Sequence, residues 1–224
     1  MTTPAPQRPR PRPPTPPPKT GTTRGRARPA NAATQSIDLA LQGGGSHGAF
    51  TWGVLDRLLE DESLKISGIS GTSAGAMNAV ALAAGLMEGG REGARANLRR
   101  FWKGVADAAP FHHLENSPLQ AIFGPSNPWM HALLQPMQSL TSALSSQLSP
   151  YQFNPLNLNP LRRVLADTVD FERVRHCHKS SLFIAATQVR TGQLRIFRQA
   201  ELTPDMVLAS ACLPLMFQAV EIDG

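Results

Sequence analysis

The sequence predicts an α/β fold built on a mostly parallel sheet. Short apolar strands run into glycine-rich turns and then into helices, the order strand–loop–helix–strand–turn–helix repeats the crossover pattern, and an alternating segment late in the chain suggests a hairpin at one edge.

Ile37 to Gln42 reads as a short buried strand, apolar except for Asp38 and Gln42, that stops at three glycines. From His47 to Glu62, Phe50, Val54, Leu55, Leu58 and Leu59 recur at helical spacing, so a helix follows. Ile66 to Ser70 is a second strand, cut off by Gly71. An alanine-rich helix from Ser73 to about Met87 comes next and ends near Gly89 and Gly90. Residues 106–160 form an irregular insertion with recurrent prolines, among them Pro110, Pro118, Pro125, Pro128, Pro136, Pro150, Pro155 and Pro160. Within it Trp129, Leu133, Leu134, Met137, Leu140 and Leu144 share one face of a helix kinked at Pro136. That face fits either ordinary core packing or a lid over an acyl-chain groove.

Regular structure then resumes with a helix over Leu161–Val169 and a buried strand over Ser181–Val189. A turn at Thr191–Gly192 leads into the alternating strand Leu194–Arg198. Thr203 is placed to cap a short helix with Pro204 at its first position, reaching Ala211 and stopping before Pro214. Phe217–Ile222 reads as a last strand, followed by Asp223-Gly224.

The formal charge of +6 is not spread evenly. Residues 1–30 hold seven basic residues, no acidic ones and ten of the 20 prolines, leaving 15 of the 22 basic residues against all 16 acidic ones elsewhere. Residues 1–34 therefore read as a Pro/Arg-rich tail with nothing to bury, and 35–224 as one nearly neutral domain. A neutral domain argues against nucleic acid as a partner. The tail fits a solvated linker, a proline-motif ligand or a basic contact with anionic lipid headgroups. It lacks the apolar core of a secretory signal, and no stretch reaches the ~18 apolar residues of a membrane span. Cys177 and Cys212 are too few for a disulfide framework. A cytoplasmic protein is expected, with peripheral membrane contact through the insertion or the basic tail left open, as is an organelle-targeting role for the Arg-rich start.

Three segments carry chemistry. Gly71-Thr72-Ser73-Ala74-Gly75 is a G-x-S-x-G sequence with a β-branched strand entering and a helix leaving, the setting of a nucleophile elbow. Glycines at its ends avoid clashes with neighbouring chain, and the helix N-terminus favours negative charge developing at Ser73. A tight turn with a capping serine would look the same locally. Gly43-Gly44-Gly45-Ser46-His47-Gly48 exposes successive backbone N–H groups, a nest for a phosphate or an oxyanion. It also fits G-x-G-x-x-G. A dinucleotide site, however, wants an acidic residue at the end of the next strand, and here that end is Gly71-Thr72-Ser73. The third segment is Asp223-Gly224. None of the six histidines follows a late strand in the way a triad requires, so an aspartate at a strand end is the candidate base for Ser73. His176-Cys177-His178 would place two histidines on one strand face, but no further ligands cluster with them, and no metal is expected. His112-His113 reads as solvated loop, and Cys212 as a small apolar residue.

In this order the three segments resemble the patatin-like phospholipase family over roughly Ile37 to Gly224. Residues 43–48 correspond to its oxyanion loop, 71–75 to its G-x-S-x-G and Asp223-Gly224 to its D-G-[GA], and the Ala209-Ser210-Ala211-Cys212-Leu213-Pro214 run resembles the stretch before that last motif. The resemblance implies a three-layer α/β/α sandwich and a Ser–Asp dyad without histidine. It further implies a lipid acyl hydrolase of phospholipase A type, with Ser73 and Asp223 catalytic, residues 43–48 and Ala74 around the oxyanion, and no cofactor. The chain departs from the family in two places. His47 stands where Lys or Arg is common, which makes the charge beside the loop pH-dependent. The chain also stops one residue short of the full D-G-[GA], so a C-terminally incomplete domain is expected. A non-lipid esterase or thioesterase, or a catalytically silent lipid-binding module, are the alternative readings.

Overall fold

The computed structural model describes residues 34–108, 149–214 and 216–223, all within one compact unit, Ala33–Gly224. The tail over 1–33, His112-His113 and the helix expected through Pro136 lie outside the described residues.

Strand β1 (Gln35–Leu41) is followed by a single 3-10 turn (Gly45–His47), helix α1 (Gly48–Leu59) and strand β2 (Leu64–Gly71). Helix α2 (Ala74–Asp107) comes next, and α3 (Pro150–Phe153), α4 (Pro160–Thr168) and α5 (Phe171–Arg175) precede strands β3 (Ser181–Thr187) and β4 (Leu194–Arg198). Helix α6 (Pro204–Ser210) is the last regular element, its first turn capped by the Thr203 side chain, which accepts from Met206 N–H. The four strands lie in the order β1-β2-β3-β4. The first three are parallel and β4 returns antiparallel, so the mostly parallel sheet with flanking helices is as expected and consistent with an α/β/α fold.

Alternation along the strands decides which side is buried. Ile69, Leu182, Ile184 and Phe197 point into the core, while Asp38, Ala40, Ser70, Phe183 and Ile196 on the opposite face are exposed. Crossovers that step one strand at a time in one direction put their helices on one face. Accordingly α1 and the first half of α2 share a single core with β2 and β3. From Ala74 to Leu86 every residue of α2 is buried, as befits a helix apolar all round and packed on every side. Arg95 in the second half of α2 grips Asp56 of α1 through two hydrogen bonds, Nε to Oδ1 at 2.9 Å and Nη2 to Oδ2 at 3.1 Å. Those bonds hold the Asp56 carboxyl below its ordinary pKa.

Four expectations need correction. Gly89 and Gly90 do interrupt the helix, but it does not end there: the chain turns helical again at once and runs to Asp107, about the expected start of the insertion. At its other end Ser149 and Asn159 cap α3 and α4, each with a proline at the first position, so the proline spacing there marks helix starts. The residues His176-Cys177-His178 are not on a strand. His176 ends α5, its Nδ1 donating to Glu172 O at 2.8 Å, because Asp170 and the apolar pair Phe171 and Val174 already drive a short helix there. Finally, Phe217–Ile222 is not a strand. Gln218 bonds instead to the loop before α4, its Nε2 donating to Asn154 O at 2.9 Å and its N–H to Asn157 Oδ1 at 3.3 Å, and its carbonyl faces Cys212 Sγ. Side chains have taken the groups a sheet ladder would need.

Candidate active site

Strand β2 delivers the chain to Ser73 through a turn that only glycine permits at its ends. A Cβ on Gly75 would stand 2.0 Å from the carbonyl oxygen of Leu41, and one on Gly71 would stand 2.6 Å from the carbonyl oxygen of Gly75. Helix α2 can thus begin directly against the end of β1. Ser73 itself adopts φ 56°, ψ −121°, a region a non-glycine residue enters at a cost of about 1–3 kcal/mol. Its surroundings hold it there. Thr72 N–H donates to Leu41 O at 3.2 Å, Gly75 N–H to Thr72 O at 2.9 Å and Met77 N–H to Ser73 O at 3.1 Å. Ser73 N–H donates to Ser210 Oγ at 2.9 Å. The half-buried serine occupies the N-cap of α2, where the positive end of the helix dipole stabilises an alkoxide-like charge.

The glycine loop folds over this elbow. A Cβ on Gly43 would stand 3.1 Å from the Ser73 Cβ and 3.8 Å from Ser73 Oγ, so the loop backbone lies directly beside the hydroxyl. Gly44 and Gly45 take φ 151° and 57°, and His47 donates to Gly44 O through both its N–H and Nδ1, each at 3.1 Å. Among the described residues the backbone N–H groups of Gly44, Gly45 and Ala74 meet no acceptor. The far end of the loop is pinned from behind. Buried Asn78, on α2, donates to Gly48 O at 3.0 Å and accepts from Trp102 Nε1 at 2.9 Å.

Asp223 is arranged differently. It is exposed, has φ 57°, and its Oδ2 accepts from Arg195 Nη2 at 3.4 Å. Arg195 also pairs with Glu201 at 3.6 Å and lies over the ring of Phe197. Strand register locates this pair. Gly71 is level with Ile184, so Ala186 and its partner Arg195 are level with the elbow, and β4 is two strand spacings, about 10 Å, from β2. The hydrogen-bond partner of the carboxylate is therefore Arg195 on β4, not Ser73 Oγ. The glycine loop comes against Ser73 and Ala74 through Gly43 and Gly48, whereas no described contact brings Asp223 to Ser73.

Three contributors to this site were not anticipated. Asn78 had a signal, being the sole polar side chain in the apolar run 74–86. Trp102 had none, because its helix was not expected. Ser210 sat in the run already compared with the family, without an assigned role.

A family model, patatin-like phospholipase, matches residues 39–224. The chain belongs to this family. Among solved structures, the heterodimeric complex ExoU–SpcU from the type III secretion system of Pseudomonas aeruginosa contains a similar chain, at 17% identity and a TM-score of 0.37. The match covers 80% of this chain and 36% of that chain, so it spans about a third of the longer protein. No curated protein sequence matches. Membership in the patatin-like family accounts for the mostly parallel sheet with its flanking helices. It also gives the elbow and the glycine loop a common context, since both fall inside the matched residues.

Proposed function

We propose that this patatin-like chain hydrolyses lipid acyl esters, with Ser73 as nucleophile and Asp223 as its base. The observation that carries the reading is the strained Ser73 at the start of α2 with the glycine loop against it and unpartnered amides on both sides.

In the first step Asp223 accepts the Ser73 Oγ proton as Oγ attacks the ester carbonyl. The carbonyl π electrons move onto oxygen, and the amides of Gly44, Gly45 and Ala74 stabilise that charge, about 3–4 kcal/mol for each well-aimed donor. Collapse expels the alcohol, which takes the proton back from Asp223, and leaves an acyl-serine. Water then gives a proton to Asp223 and attacks the acyl group, and Ser73 regains its proton as the fatty acid leaves. These steps balance without a metal or organic cofactor. Proton transfer requires the Asp223 carboxylate to exchange Arg195 for Ser73 Oγ, a move open to an exposed side chain. A lipid substrate also brings with it an encounter with a membrane surface, in a cytoplasmic setting.

Ser73→Ala and Asp223→Asn should each lower hydrolysis of a nitrophenyl acyl ester by about 10³-fold or more. Full activity in either variant would falsify the dyad. A fluorophosphonate probe should label wild-type protein at Ser73; a folded sample that does not label is a silent binding module. Rates that rise from short-chain to long-chain esters and extend to phospholipid vesicles support the lipid reading. Activity confined to short esters would mean a non-lipid esterase.

A further inference from the structure

Ser210, the last residue of α6, places its hydroxyl between two backbone groups from distant parts of the chain. It accepts from Ser73 N–H at 2.9 Å and donates to the Ala185 carbonyl on β3 at 2.6 Å. The polarity is fixed by the partners, since an amide can only donate and a carbonyl can only accept. One hydroxyl, with one proton and two lone pairs, meets both demands at once.

We propose that Ser210 is a positioning residue that holds the nucleophile in its reactive backbone conformation. The inference rests on the reading of Ser73 as nucleophile and adds to it the group that keeps it aimed. The other local hydrogen bonds engage the Thr72 N–H and the carbonyls of Thr72 and Ser73, and among the described residues only Ser210 takes the Ser73 N–H. Without that acceptor, rotation of the peptide between Thr72 and Ser73 would relieve the positive φ and swing Oγ away from Gly43. The occupied amide also leaves the oxyanion to Gly44, Gly45 and Ala74, whose N–H groups have no other acceptor among the described residues. Finally, Ser210 joins the two halves of the dyad. Its acceptor Ala185 adjoins Ala186, the register partner of Arg195, and Arg195 binds Asp223. The hydroxyl therefore fixes the elbow to the strands that carry the carboxylate's partner.

Three variants of the full chain test this: Ser210→Ala, Ser210→Cys, which keeps the volume but is a poor hydrogen-bonding group, and Ser210→Thr, which keeps the hydroxyl. The readouts are kcat and KM for a short nitrophenyl ester, the rate of fluorophosphonate labelling at Ser73, and hydrogen exchange at the Ser73 amide. In the Ala and Cys variants kcat and the labelling rate should fall about 10- to 100-fold, the scale of a misplaced reacting group. KM should hold within about twofold, exchange at Ser73 should quicken, and Ser210→Thr should regain most of the loss. Should the Ala variant melt below the assay temperature, the Cys variant supplies the comparison. Labelling and exchange in the Cys variant equal to wild type would overturn the proposal while leaving Ser73 the nucleophile. A wild-type protein that labels elsewhere than Ser73 removes the nucleophile assignment instead, and unchanged exchange at the Ser73 amide in the Cys variant then sinks the positioning role separately.

Discussion

Around Ser73 the backbone is gripped from four directions: by Leu41 at the end of β1, by the first turn of α2, by Ser210 on α6 and by the close approach of Gly43. Around Asp223 the grip, among the described residues, is one ion pair of 3.4 Å between two exposed side chains. Such a pair contributes about 0–1 kcal/mol, while the elbow's conformation alone costs about 1–3 kcal/mol and is held regardless. The two ends of the proposed dyad thus sit on elements of very different stiffness. Donors aimed at a developing charge gain from rigidity, because they need no reorganisation when the charge forms. A group that must carry a proton between serine, leaving alcohol and water gains from some freedom. In the proposed dyad the contrast is a division of labour, and it can be broken from either side.

The largest effect should come from the stiff side. Gly75→Ala adds a methyl 2.0 Å from the Leu41 carbonyl oxygen, and backbone on both sides cannot yield as a side chain could. The expected loss in urea denaturation is about 3 kcal/mol or more, together with loss of probe labelling at Ser73. A variant that folded and labelled normally would mean that β1 and α2 are loosely joined, and the contrast would disappear. A smaller effect is expected one step further from the nucleophile. Asn78→Ala strands the half-buried Trp102 indole N–H and removes the side-chain tie to the Gly48 carbonyl. That should lower stability by about 2–3 kcal/mol. It should also slow labelling of Ser73 at unchanged reagent affinity, since the glycine loop loses its anchor.

The same division explains what could be read from the sequence. Ser73 and the glycine loop were legible because backbone sterics there are absolute. Only glycine fits at 71 and 75, and three glycines before a helix leave amides bare. The strands at 35–41, 64–71 and 181–187, and the Thr203-Pro204 helix start, were legible from apolar runs and capping chemistry, which act within a few residues. What failed depended on groups far apart in sequence. The segment 217–222 has a strand's composition, but Asn154, Asn157 and Cys212 take its polar groups, and nothing nearby announces that. The second half of α2 was hidden by Gly89-Gly90, which end one helix and permit another. Arg195 is an ordinary arginine in a hairpin until strand register brings it level with the elbow.

The gentlest test lies on the loose side. Arg195→Met removes the partner of Asp223 and keeps an unbranched stem to lie over Phe197. Because the pair is exposed and long, the change in unfolding free energy should stay within about 0.5 kcal/mol. In the proposed dyad Arg195 and Ser73 Oγ compete for one carboxylate, so freeing it should raise kcat/KM for a short ester, by no more than the roughly fivefold that ~1 kcal/mol allows. Wild-type protein should approach the same rate as salt is added, because screening weakens the exposed pair in the same way. If the variant instead loses more than about 1 kcal/mol of stability or most of its activity, Arg195 supports the carboxylate rather than restraining it. Asp223 would then be as firmly held as Ser73, and the proposed dyad would be rigid at both ends.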